Sequence, residues 1–208
     1  MNPARFIVFE GLDGAGSTTQ ALRAAQALRT SGASVTETRE PSEGPIGTLI
    51  RQALRRRLLL PDGEPLDPRS LALLFAADRI DHLRAVVEPA LTAGRHVVSD
   101  RYVHSSLAYQ GAELPMPWVA SINAQARRAD VVVFIDTPVV LCVQRIAARG
   151  AAPELYETRE RLDAVRQRYD EAFALRDEPV LIVDGAGTID EVHGRVMAAL
   201  RDRGLATP

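Results

Sequence analysis

The sequence predicts an α/β fold, a parallel sheet covered by helices, and three observations point to it. Strand-like and helix-like segments alternate from end to end, the pattern of parallel strands joined by helical crossovers. The first strand and helix are joined by a glycine loop, Gly11-Leu-Asp-Gly-Ala-Gly-Ser-Thr18. No repeat, low-complexity tract or long linker divides the 208 residues, so one domain, 1–208, is expected.

The elements follow in order. Phe6–Glu10 (Phe-Ile-Val-Phe-Glu) is a short apolar run ending on the loop, hence a buried strand. Thr18–Thr30 is helical, with Leu22, Ala25 and Leu28 on one face and Gly32 to stop it. Val35–Thr38 is a second strand. Ile46–Arg57 is a helix whose arginine-rich end suits the negative end of its dipole. A turn-rich stretch (Pro61, Asp62, Gly63, Pro65, Pro68) precedes a long helix, Ser70–Val87, which Pro89 should end or kink. His96–Ser99 is a third strand, running into Asp100. Helices are expected over Ser105–Tyr109 and Trp118–Arg128. Val131–Asp136 is the strongest strand signal, followed by a helix over Val139–Arg149 and a break at Gly150–Pro153. A charged helix over Glu157–Leu175, a fifth strand over Val180–Val183 and a last helix over Ile189–Arg203 complete the chain.

Composition narrows the function. A net charge of −2 provides no field for nucleic acid or an anionic membrane, so neither is an expected partner. Hydrophobic content of 46% with 25% charged residues is that of an ordinary globular protein. A lone cysteine, Cys142, rules out an internal disulfide and suits the reducing cytoplasm, where an inert core position is expected. No apolar run approaches the roughly 20 residues that span a bilayer, and no signal pattern opens the chain.

The loop at 11–18 carries the chemistry. Phosphate-binding loops read Gly, any four residues, Gly, Lys, then Ser or Thr. Here Gly11, Gly16 and Thr18 hold their places, and Ser17 stands where lysine belongs. All 25 basic residues are arginine, so no lysine elsewhere can substitute. Backbone N–H groups from residues 14–18 and the following helix dipole should cradle the phosphates of a nucleoside triphosphate. Leu12, Asp13, Gly14 and Ala15 complete that cradle, and the Thr18 hydroxyl is placed to ligate Mg²⁺. A serine offers one neutral hydrogen bond, worth about 1 kcal/mol against roughly 1.5–3 for a charge-assisted one. Another cation is therefore needed for fast turnover. Asp100 and Arg101 follow the third strand, beyond whose carboxyl end ligands bind. Asp100 should order Mg²⁺ and Arg101 should point toward phosphate.

Five ordered segments resemble the bacterial thymidylate kinase family over essentially the whole chain: Phe6-Ile-Val-Phe-Glu-Gly-Leu-Asp-Gly-Ala-Gly16, Thr38-Arg-Glu-Pro41, Leu73-Leu-Phe-Ala-Ala-Asp-Arg79, Ser99-Asp-Arg-Tyr102 and Ser105-Ser-Leu-Ala-Tyr-Gln-Gly111. The resemblance implies the P-loop kinase fold, a five-stranded parallel sheet flanked by helices on both sides, usually as a homodimer. It implies transfer of the ATP γ-phosphoryl group to dTMP with Mg²⁺. It places Phe75 on the thymine ring, Arg79 on a base carbonyl, Ser106 and Gln110 at the base edge, and Tyr109 beneath the sugar. Asp13 then meets the deoxyribose 3′-hydroxyl region, Glu40 and Pro41 line the acceptor pocket, and Arg51 and Arg101 hold the acceptor phosphate. Members with glycine at the position of Gly14 supply catalytic arginines from a lid, here about 149–157. The arginine that often lies near the lid's end is replaced by Leu155. Arg149 then resembles the residue that stacks on adenine, and Arg145 is the remaining arginine able to approach the phosphates. No general base is required, since phosphoryl transfer depends on positioning and charge neutralisation.

Without the resemblance, Phe75 reads as core and the Asp78–Arg79 pair as a solvated helix face. Two functions follow. The first is a dTMP kinase in which arginine and metal make up for the absent lysine. The second is a non-catalytic dTMP/ATP-binding protein of the same shape, a sensor or scaffold. A GTPase is not expected, because its guanine-reading Asn-Lys-x-Asp motif cannot occur in a chain without lysine.

Overall fold

The structure is a computed structural model describing residues 3–148 and 158–205. Five strands, β1 (Phe6–Gly11), β2 (Val35–Arg39), β3 (His96–Asp100), β4 (Val131–Asp136) and β5 (Val180–Asp184), form one parallel sheet in the order β2-β3-β1-β4-β5. The helices are α1 (Ser17–Thr30), α2 (Pro45–Leu54), α3 (Pro68–His82), α4 (Glu88–Thr92), α5 (Val103–Gly111), α6 (Met116–Ile122), α7 (Val139–Ala148), α8 (Arg159–Ala174) and α9 (Ile189–Asp202).

β1 is central and wholly buried, as a parallel strand covered on both faces must be. Its side chains alternate between two cores. Ile7 and Phe9 pack with Ala24 and Leu28 of α1 and Val196 and Leu200 of α9. Phe6 and Val8 pack on the other face with Val103 and Leu107 of α5 and Val119 of α6. A third, small core joins Ile50 and Ala53 of α2 to Leu71 of α3. The register sets Phe9 beside Asp100 and Gly11 beside Ile135. The carboxyl ends of β1, β3 and β4 therefore open onto one crevice, at the point where the strand order reverses.

Several boundaries differ from the sequence expectation, each for a local reason. The long helix does not stop near Pro89. A π-helical turn, Leu83–Val87, links α3 to α4, and Pro89 falls in the first turn of α4, where its missing N–H goes unneeded. α2 ends at Leu54 rather than Arg57, since Arg56 adopts a left-handed φ of 53°. α6 covers Met116–Ile122, not Trp118–Arg128. Asn123 follows it and turns its amide back to the Val119 carbonyl at 2.9 Å. α5 begins two residues early because a buried carboxylate from β1 caps it, as described below.

Candidate active site

The glycine loop is shaped by what lies behind it. Gly14 (φ 82°) and Gly16 (φ 98°) are left-handed, a region costly for side-chain-bearing residues. A Cβ on Gly14 would sit 2.5 Å from the Cys142 carbonyl oxygen of α7, so only glycine lets that helix approach. Gly16 precedes α1 without a side-chain cap, leaving first-turn N–H groups available to an anion. The loop's carbonyls face away and are held. The Thr137 hydroxyl donates to Ala15 O at 3.0 Å. Arg145 Nη1 donates to Ala15 O at 3.1 Å and Gly14 O at 3.4 Å, and its Nη2 to Gly185 O at 3.2 Å. Leu12 contributes backbone only, its side chain being core.

Thr18 Oγ1 donates to Asp100 Oδ2 at 2.6 Å, bringing together the two groups expected at the metal. Ser17 Oγ also donates to Asp100, at 3.2 Å from Oδ1, so the hydroxyl expected at the phosphates is turned to this carboxylate. A carboxylate and hydroxyls beside a phosphate cradle are hard oxygen donors. They suit Mg²⁺, which commonly takes one or two carboxylates with the rest of its shell from phosphate and water.

Arg101 sits at the end of β3 with a left-handed φ of 69° that aims its guanidinium across the loop. Nη1 donates to Gly11 O at 3.0 Å and Ser105 Oγ at 2.9 Å, and Nη2 to Asp13 Oδ1 at 2.6 Å. The guanidinium stacks 5.1 Å from the Tyr109 ring centroid. Burial opposes its charge, yet Tyr109 and Asp13 carry its pKa well above the usual arginine range, so it stays cationic. The Tyr109 hydroxyl in turn accepts the Asp13 N–H at 2.9 Å, and burial pushes that phenol's pKa up.

Beneath Arg101 lies Glu10, a residue the sequence does not single out. Its carboxylate accepts the N–H groups of Tyr102 (3.0 Å) and Ser105 (3.1 Å), the Ser105 hydroxyl (2.5 Å) and the Tyr169 hydroxyl (3.1 Å). Burial pushes its pKa up, against His104, Ser105 and Arg101. Glu10 thus starts α5 and ties it to α8 through Tyr169, whose single hydroxyl proton is shared between this carboxylate and Gly11 O, each 3.1 Å away.

The expected acceptor residues share one cleft beside this loop. Asp13, Glu40, Pro41, Arg51, Phe75, Arg79, Arg101, Ser106, Tyr109 and Gln110 all line it. Phe75 is half-buried at the edge of the small α2–α3 core, so it faces the cleft while packing below. Arg79 is not a solvated surface residue. It is 1% exposed, pairs with Glu40 at 2.7 Å, donates to Ser106 Oγ at 2.9 Å and reaches the Asn123 side chain. Among the described residues Arg79 Nε and Gln110 Oε1 are buried without hydrogen-bond partners. A donor and an acceptor left over beside an aromatic wall suit a flat ring bearing a carbonyl next to a ring N–H. Arg51 spans the mouth, donating to Pro41 O at 2.9 Å and Thr48 Oγ1 at 3.1 Å.

Three further supports were invisible in the sequence. Asp78, 1% exposed, accepts the Ser42 N–H (2.7 Å) and hydroxyl (2.6 Å) and fixes the turn after Pro41. His82 bridges Thr38 Oγ1 (2.5 Å) and Glu40 Oε1 (3.2 Å). Asn123 closes the far side of Arg79. Arg149 and the expected lid, 149–157, lie outside the described residues.

Residues 9–196 match the model of the family described as thymidylate kinase. The chain is 38% identical over 197 residues to a probable thymidylate kinase of Pyrococcus abyssi, covering 94% of this chain and 95% of that one. It is 39% identical over 203 residues to a thymidylate kinase of Xanthomonas euvesicatoria, covering 95% and 85%. Among the described residues no helix is long and apolar enough to cross a membrane.

Proposed function

The chain belongs to the thymidylate kinase family, and from that premise we propose that it transfers the γ-phosphoryl group of ATP to dTMP, giving dTDP and ADP, in the cytoplasm. One observation carries the reading. A single cleft has an aromatic wall with unpartnered base-reading groups at one end and the loop's Asp13 with Arg101 at the other. Phe75 stacks on thymine, while Arg79 and Gln110 read its edge. Asp13 and Tyr109 sit by the sugar. Arg51 and Arg101 hold the 5′-phosphate, one of whose oxygens attacks the γ-phosphorus as the bond to ADP breaks. Mg²⁺, held through Thr18 and Asp100, supplies charge neutralisation at the donor oxygens.

The lost lysine charge is made up by Arg145. Its guanidinium already touches the loop at two carbonyls, whereas Arg101 is engaged by Asp13. Arg149 stacks on the adenine. Leu73 and Ile80, 50% and 49% exposed on the outer side of α3, supply an apolar face for a homodimer.

The test is ADP release from ATP and Mg²⁺ with and without dTMP. Release that depends on dTMP is expected. Tight dTMP binding by calorimetry with no dTMP-dependent ADP would instead make this a nucleotide-binding protein without turnover.

A further inference from the structure

We propose that Ser17, standing where phosphate loops carry lysine, serves the metal and not the donor phosphates. The inference rests on the reading above only in taking a metal–nucleotide complex as the donor. Ser17 is the first residue of α1 and is 4% exposed, so its short side chain has little freedom. A serine hydroxyl has one proton to give. Here that proton is directed at Asp100 Oδ1 over 3.2 Å. It is therefore not available to a phosphate oxygen, and the neighbouring carboxylate repels one. What the hydroxyl still offers is lone pairs. Thr18 Oγ1 stands the same way on the other oxygen of Asp100, at 2.6 Å. Two consecutive hydroxyls thus bracket one carboxylate, and among the described residues neither accepts a hydrogen bond. The set is one anionic and two neutral hard oxygen groups, which fits a hard divalent cation and no anion.

Replacing lysine by serine then moves part of the loop's electrostatic work from an ammonium on the protein to a more firmly held cation, beside the charge that Arg145 brings. The two substitutions are not graded versions of one contact. Lysine acts on phosphate oxygens directly, and Ser17 acts through the ion that those oxygens share.

The experiment needs no turnover. Free Mn²⁺ is followed by electron paramagnetic resonance as it is titrated into the protein with ADP, for wild type and Ser17→Ala. Mn²⁺ binding is expected to weaken on the order of tenfold in the variant, as loss of a metal-supporting group commonly does. ADP affinity measured without metal should be unchanged. Ser17→Cys provides a second reading: a thiol should shift the preference of the nucleotide complex from Mg²⁺ toward Cd²⁺. Equal Mn²⁺ binding by wild type and Ser17→Ala, with no Cd²⁺ preference in Ser17→Cys, overturns the proposal. So does a loss of ADP affinity that is already present without metal, since that marks a phosphate contact. Failure of the wild type to make dTDP would overturn the kinase reading instead, and the Mn²⁺ comparison would still decide Ser17.

Discussion

Arg145→Gln tests whether one guanidinium behind the loop replaces a lysine within it. Glutamine keeps an amide that can donate to Ala15 O while removing the charge. In the wild type, Nη1 lies 3.1 Å from Ala15 O and 3.4 Å from Gly14 O. Donor oxygens seated on the loop's N–H groups would be one peptide plane further away, about 6 Å from the charge by standard backbone dimensions. At that distance, with an effective dielectric constant near 20, one unit charge is worth about 3 kcal/mol. Only the share that grows as charge shifts in the transition state alters turnover, so kcat should fall roughly 10- to 100-fold. Affinity for dTMP should not change, because the acceptor cleft lies on the other side of the loop. Rapid-quench single turnovers at saturating ATP and dTMP measure the first quantity, and calorimetry the second. A kcat within about threefold of wild type would refute the reasoning, being under 1 kcal/mol at the barrier. A parallel fall in melting temperature and ATP affinity would refute it differently, by reducing Arg145 to a brace for the loop.

Three other outcomes are expected. Phe75→Ala should weaken dTMP binding by about 1–3 kcal/mol through lost stacking and burial, with the melting temperature nearly kept, because the ring is only half-buried. Gly14→Ala should lower thermal stability by at least ~2 kcal/mol, because it adds a Cβ 2.5 Å from the Cys142 carbonyl at a φ of 82°. Glu178 should govern acid stability. Burial works to raise its pKa, but His104, whose Nε2 lies 3.0 Å from Oε2, and Arg176, which donates to Oε1 at 2.9 Å, outweigh burial and hold it at about 2. A depressed carboxylate stabilises the fold fully above its unfolded value of 4.5, and that share is lost as pH falls toward 2. Over that window the share is at most roughly 3 kcal/mol. Melting curves of Glu178→Gln between these limits should show a shallower acid decline than wild type, and an equal slope would show that Glu178 does not titrate there.

Local signals in the sequence were enough for the loop and the five strands, whereas the lining of the cleft followed from the resemblance to the family and not from local pattern. The loop and the strands are written in consecutive residues: apolar runs bounded by turns, glycines at fixed spacing, Asp100-Arg101 after a strand. What escaped is what depends on long-range packing. Glu10 looks like the polar end of a strand, and its role comes from Ser105 and Tyr169, 95 and 159 residues away. Asp78 and Arg79 have helical-surface spacing, and only Ser42, Glu40 and Asn123 folding over them make both buried. The direction of the Ser17 hydroxyl was equally hidden, since it depends on the Asp100 carboxylate 83 residues further on. Pro89 misled for the opposite reason. Its local rule is sound, but a π turn one step earlier satisfied it without ending the rod.

The position of β1 in the middle of the sheet has a consequence for any change of substrate. On the kinase reading, the residues that choose the acceptor, on α3 and α5, come from the side of β2 and β3, while Thr137, Arg145 and Gly185, beside the donor, come from the side of β4 and β5. The two sides are joined at the glycine loop, because Asp100 of β3 accepts the Ser17 and Thr18 hydroxyls and Arg101 reaches Asp13. A serine where such loops carry lysine is therefore tied to the acceptor-side strand, and retuning either substrate has to keep that link.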